Sequence, residues 1–366
     1  MRTLLILALS IGALASIASA GPMAPHSARI ITHGRVVALA ADGKRAVFAV
    51  SGRQRSRIVV WEPRQQRITP IQTISNRDCS RGCGPGGGLA IAGTRVAWDA
   101  YNGGNYLETT VSAATLARQR AVSLGAGSWD WLMGSGGNEA FGPTGDGNLI
   151  AFTVQVHCGD PEAESEPPCP PGRQVDDVVS ATVWRAARHG KCPSYADYRP
   201  LGHCARVAKA NGKLTVLAVD AGRIAAQTDH GVRLLTAGGR RLLDLPAADV
   251  RAASLSGNRL ALRVPGAFEI YDAGSGELVK SFPAEGSARL DRLEDLERGI
   301  LVTAMQNTVT LRRLGDGRTV TFQAPGRAYA QLEPPGLFLA GGPRVTFTPM
   351  PDVLKRFPDG TGKWPS

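Results

Sequence analysis

From Val250 to Ala284 the apolar and polar positions alternate in short bursts, and no burst is long enough to sustain a helical period. Val250 to Leu255 predicts one strand, the turn Ser256-Gly257-Asn258 follows, and Arg259 to Val264 alternates with period two as a half-buried strand does. Ala267 to Tyr271 predicts a third strand. The stretch Asp272-Ala273-Gly274-Ser275-Gly276 has the side chains and glycines of a tight turn, and Leu278 to Phe282 closes the unit. Four strands in one small antiparallel sheet cannot bury both faces, so the unit needs neighbours like itself. The pattern therefore predicts one blade of a β-propeller.

The rest of the chain supplies the neighbours. Arg35 to Ala40, Ala46 to Val50, Arg57 to Trp61 and Arg67 to Gln72 read as the first blade. Its turn Ala41-Asp42-Gly43-Lys44-Arg45, followed by Ala46-Val47-Phe48, resembles the D-G-K-x-hydrophobic-x-F signature of TolB-like and WD40-like repeats. The signature recurs in part at Gly145 to Asn148 before Leu149 to Phe152, and at Ser256 to Asn258 before Arg259 to Leu262. An inner strand of this kind is predicted near Arg45, Arg95, Leu149, Arg223, Arg259, Ile300 and Leu337, which makes seven blades. After Arg344 to Thr348 no fourth strand remains before the prolines of the C-terminus, while Ala28 to His33 is a spare extended segment. The expected fold class is thus all-β: a seven-bladed β-propeller of four-stranded antiparallel blades, its ring closed by the N-terminal strand, which removes exposed sheet edges. It would occupy residues 28–350, between a flexible 21–27 and a C-terminal tail, 351–366. The resemblance implies a scaffold and says little about a ligand.

Residues 1–20 change where the protein is expected to work. Arg2, an apolar run and Ala18-Ser19-Ala20 form a secretory signal with an A-x-A exit, so the mature chain should start near Gly21, secreted or in the periplasm or cell envelope. No later stretch is apolar for long enough to span a bilayer. The six cysteines fall into local pairs, Cys79 with Cys83, Cys158 with Cys169 and Cys192 with Cys204. In an oxidising compartment these are expected to be disulfides lying outside the strands; the spacing does not suit zinc. The net charge of +11 comes from scattered arginines without interleaved aromatics, so no nucleic-acid partner is expected. A monomer is expected.

Chemistry, if any, should lie on loops. The connections Ile74 to Gly88, Tyr101 to Tyr106, Gly125 to Asn138 and His157 to Asp177 would share one face of blades one to three. There Tyr101, Tyr106, Trp129, Asp130, Trp131 and His157 are the candidate ligand-binding residues, as an aromatic platform for a protein, peptide or glycan. The two tryptophans serve equally well packed between blades, and Asp130 as a turn cap. No catalytic residue, metal site or cofactor is expected: no G-x-S-x-G elbow or paired histidines occur. A quinone-cofactor propeller would need a tryptophan where Lys280 stands. The alternative is a lactonase-like propeller hydrolase with a metal at the channel mouth, for which Glu139, Asp291 and Glu333 are the acidic candidates.

Overall fold

The computed structural model describes residues 27–75, 83–103, 106–130, 137–157, 178–185, 204–287 and 290–358. The described strands pair into seven four-stranded antiparallel sheets. Six of them run in chain order, namely Arg35–Ser75, Cys83–Asp130, Gly137–Asn211, Leu214–Leu245, Ala252–Pro283 and Asp291–Gln323, here sheets 1 to 6. Sheet 7 joins Ala328–Glu333, Gly336–Gly341 and Arg344–Pro349 to Ala28–Ile31, which pairs with Arg344–Pro349 so that Ala28 faces Phe347 and Ile31 faces Arg344. The first strand of each sheet neighbours the first strand of the next, and that of sheet 7 neighbours that of sheet 1. This is a β-propeller of four-stranded antiparallel blades.

Radial position explains the sequence pattern. The second strands are sandwiched between neighbouring sheets on both faces, so they read as apolar runs rather than alternations: Ala46 to Val50, Leu260 to Val264 and Gly336 to Gly341 are buried throughout. Fourth strands such as Leu278–Pro283 and Thr319–Gln323 are mostly exposed, because only one face meets a neighbour. The strands that open after the turn signature, at Arg45, Arg95, Arg223 and Arg259, are therefore the second of their sheets. They are not the innermost, a position taken by the strand before the turn.

Seven apolar clusters among the described residues each bridge two adjacent sheets. The cluster between sheets 7 and 1 holds Trp61 edge-on to Phe338, with centroids 6.3 Å apart, and Phe347 4.9 Å from Phe338. Where a C-terminal tail was expected, Met350–Lys355 forms a short helix. Its Met350, Val353 and Leu354, with Phe357 just beyond, are buried against sheets 6 and 7, so the propeller body extends past residue 350.

Candidate functional site

Strand direction fixes two faces. Turns from first to second strand lie on one face; loops from second to third strand and links between sheets lie on the other. The backbone gathers the predicted platform on the second face. Tyr101 ends the second strand of sheet 2, opposite Thr109, and is 41% exposed. In the hairpin beyond it Tyr106 pairs with Asp130 and Leu107 with Trp129. His157 ends the second strand of sheet 3, opposite Gly137. Trp131 lies outside the described residues, as do Cys79, Cys158, Cys169 and Cys192. Cys83 and Cys204 are not in loops: each begins a strand, Cys83–Ala92 and Cys204–Asn211.

Beneath this platform sits a carboxylate that the sequence reading passed over. Asp99 is 7% exposed and spans sheets 2 and 3: Oδ1 accepts the N–H of Gly88 at 3.0 Å and Oδ2 that of Gly142 at 2.9 Å. The run Gly84 to Gly88, expected as a loop, is part of the inner strand, with its register broken between Pro85 and Leu89. Its glycines make room for the carboxylate, since a Cβ on Gly86 would lie 2.2 Å from Asp99 Oδ1, and one on Gly88 2.5 Å from Oδ2. Burial raises the carboxyl pKa, and the two amides oppose that rise. Asp99→Asn would turn an NH2 toward one of the two amide donors, so a loss of about 2 kcal/mol is expected in chemical denaturation. A stability within 0.5 kcal/mol of the parent would show, roughly, that the amides find other partners.

The opposite mouth of the channel is acidic. A cavity of about 210 Å³ is lined by the ends of the inner strands, including Asp146, Asp220, Asp295, Glu297 and Glu333. The last residue of each inner strand, in sheet order, is Asp42, Ala92, Asp146, Asp220, Ser256, Glu297 and Glu333. These side chains clasp neighbouring blades by one rule: each accepts the backbone N–H of the first turn residue in the next sheet. Glu333 accepts Gly43 N–H at 2.9 Å, Asp42 accepts Gly93 N–H, Asp146 accepts Ala221 N–H at 2.8 Å, Asp220 accepts Gly257 N–H at 3.1 Å and Ser256 accepts Arg298 N–H at 3.4 Å. The two interfaces without this clasp have a chemical reason: Ala92 has no acceptor, and the turn after Glu333 opens on Pro334, which has no N–H. Two residues deeper on the inner strand of sheet 6, Asp295 accepts Leu332 N–H at 2.8 Å from sheet 7 and the Ser254 hydroxyl at 3.2 Å from sheet 5.

Of the acidic candidates, Glu333 ends an inner strand rather than starting a blade. Asp291 starts one but is 6% exposed, and its carboxylate accepts the Glu285 N–H. Glu139 lies near the start of the inner strand of sheet 3, across from Gln155. The one sequence signal for the clasps was an Asp, Glu or Ser recurring just before the turns, which read as ordinary turn chemistry.

No protein-family model matches the chain, and no curated protein matches it. Among solved structures it is similar to the β-propeller domain of Myceliophteria thermophila Cps50 (Swd1), with a TM-score of 0.52 and 10% identity over 88% of this chain and 99% of that one. It also aligns with a chain of a mitotic checkpoint complex, with a TM-score of 0.47 and 11% identity over 95% of this chain and 99% of the other. Kluyvelomyces marxianus Hsv2 follows, with a TM-score of 0.45 and 10% identity over 88% of this chain and 96% of that one. At such identities the likeness establishes the fold alone, a β-propeller. No helix among the described residues is long and apolar enough to cross a membrane.

Proposed function

We propose that the chain is a secreted, non-enzymatic scaffold, a seven-bladed ring closed by Ala28–Ile31, which binds a protein or peptide partner through the platform face of sheets 1 to 3. The observation that carries this reading is the placement of Tyr101, Tyr106, Trp129, Asp130 and His157 at one end of two adjacent sheets. A half-exposed tyrosine on a strand end, held by a rigid body, makes an economical contact residue. The leader at Met1 to Ala20 supports export, and with it disulfides at the local cysteine pairs and a TolB-like kinship. The hydrolase alternative needs carboxylates free to converge on a cation. At the channel mouth Glu333, Asp146 and Asp220 are committed to neighbouring backbone amides instead, which favours the scaffold.

A photo-reactive phenylalanine analogue placed at Tyr101, and separately at Arg118 on the opposite face, tests the reading in cells that export the protein. Discrete protein adducts from position 101 and none from 118 are expected. Adducts identical at both positions, or none at 101, would remove the platform as the binding face.

A further inference from the structure

Where sheet 7 meets sheet 1 the ring carries a second concavity, away from both channel mouths. It is a cleft of about 500 Å³ between Ala28–Ile31 and the outer half of sheet 1, a size that suits ligands and peptide segments. Its floor is apolar: Phe48, Val50 and Val59 are at most 9% exposed. Its lips are apolar too, yet open to solvent, with Ile31 62% and Ile68 52% exposed. These are two of the three most exposed large apolar side chains among the described residues.

One end of the cleft is cationic. Arg53, Arg55 and Arg57 line it and are exposed. No Asp or Glu lines it, and among the described residues none of the three arginines has an anionic partner. Three unpaired guanidinium groups beside an apolar floor suit a ligand that brings negative charge and apolar surface together.

The spacing then selects the kind of ligand. Along the strand Arg55–Glu62, the residues that line the cleft are Arg55, Arg57 and Val59, which are successive positions on one face, with buried Ser56 and Ile58 on the other. Same-face positions in a strand recur about every 6.6 Å. An extended peptide carries the same interval; a lipid offers a single anionic head. The backbone agrees, because Ala28–Ile31 is hydrogen-bonded on one side only, to Arg344–Pro349, and leaves its outer edge unpaired among the described residues. Such an edge accepts a further strand.

We infer that this cleft docks an extended segment of a partner protein in which two carboxylates and then two apolar side chains occupy alternate positions. The carboxylates meet Arg55 and Arg57, with Arg53 at the cleft entrance, and the apolar side chains cover Val59, Phe48 and the exposed Ile31 and Ile68. The segment's backbone extends sheet 7 along Ala28–Ile31. This surface is separate from the platform around Tyr101, so either can fail without the other.

Fluorescence anisotropy with the whole mature protein and a labelled Glu-Ser-Glu-Ser-Val-Ser-Val peptide tests it. Saturable, salt-weakened binding is expected, with no saturation by the Lys-Ser-Lys-Ser-Val-Ser-Val analogue. The Arg55→Glu/Arg57→Glu variant should lose affinity at least about tenfold, while Arg118→Glu/Arg120→Glu, an equal charge change at exposed positions on sheet 2, leaves it unchanged. Both pairs are exposed, so unchanged melting curves serve as the folding control. The inference is overturned if both variants weaken binding alike, which would make net charge the cause, or if Arg55→Glu/Arg57→Glu binds as the parent does. Displacement of the peptide by laurate would equally overturn it, showing an amphiphile pocket instead.

Discussion

Arg263→Leu is expected to cost about 3 to 5 kcal/mol, the largest loss from any single side chain outside the apolar layers. Arg263 is 2% exposed at the junction of sheets 5 and 6. Its Nε donates to the Asp291 carbonyl at 2.9 Å, an Nη donates to the Gly286 carbonyl at 3.0 Å, and another to the Val264 carbonyl. The guanidinium also lies 5.1 Å from the Phe268 ring centroid and near the buried Asp291 carboxylate, whose charge it offsets. Leucine fills part of the volume, but it orphans these carbonyls and leaves Asp291 without a counter-charge. Lysine brings the charge back on a single nitrogen that cannot reach carbonyls on both sides of the junction. Arg263→Lys should therefore recover less than half of the loss. Urea midpoints for the two variants check this; an Arg263→Leu midpoint near that of the parent would show that water replaces the guanidinium at low cost.

The legibility of this molecule follows the same split between strand pattern and cross-sheet contact. Strand positions were readable because burial in a propeller depends on distance from the axis, and the apolar run Ala46 to Val50 carries that directly; Arg259 to Val264, expected to be half-buried, is instead buried from Leu260 onward because it lies between two sheets. What the pattern lacks is which strand lies innermost, since first and second strands follow each other within one turn. It also lacks partners across sheets. Asp99, Arg263 and Asp295 bond to residues in other blades or to backbone atoms whose placement depends on the whole ring. A period-two reading has no term for such contacts. The run Cys83 to Gly88 misled for a related reason: glycine-rich sequence normally signals a loop, yet here the glycines thin an inner strand to admit a carboxylate. The placement of Tyr101, Tyr106, Trp129, Asp130 and His157 at strand ends of one face could be read from the sequence because strand ends and loops are local features. The cleft at sheets 7 and 1 could not, because the position of its Ile30 to His33 wall depends on the pairing of Ala28–Ile31 with Arg344–Pro349, more than 300 residues away.

The inter-blade clasps turn a repeated turn motif into a mechanical device. Each carboxylate that accepts an amide from the next sheet ties two blades together at the channel mouth. Asp42, Asp146, Asp220 and Glu297 also interact with one another through space, the first three while holding their amides and Glu297 while accepting the Ser256 hydroxyl. Crowding like charges around a narrow mouth has a thermodynamic consequence, and it appears most clearly at the junction of sheets 7 and 1.

Stability is expected to fall as pH rises from about 5 to 8, and Glu333→Gln should remove much of the fall. Burial, reinforced by the charges of Asp295, Asp42 and Glu297, pushes the Glu333 carboxyl up to about 8, although the Gly43 amide favours its ionised form. Burial likewise pushes Asp295 up to about 7, against the Leu332 and Leu296 amides and with Glu297 adding to the rise. Unfolded, both groups would lose their protons near pH 4, so between that value and the folded pKa the native state holds more protons. Their contribution to stability is full below pH 4 and is lost as pH climbs through 7 to 8. Because the two titrate as a coupled pair, the combined loss is a few kcal/mol rather than the sum of two separate shifts, which corresponds to a drop in Tm of about 5 °C. Carboxylates that arginines or backbone amides hold below the usual range, such as Asp244 and Asp272, act in the opposite sense at acid pH, so the optimum lies between these limits. Glutamine keeps an oxygen for the Gly43 amide while removing the charge, so Glu333→Gln should melt above the parent at pH 9 and close to it at pH 5. A parent Tm that is flat from pH 5 to 8, or a variant with the same fall, would mean that the mouth relaxes enough to hydrate its carboxylates.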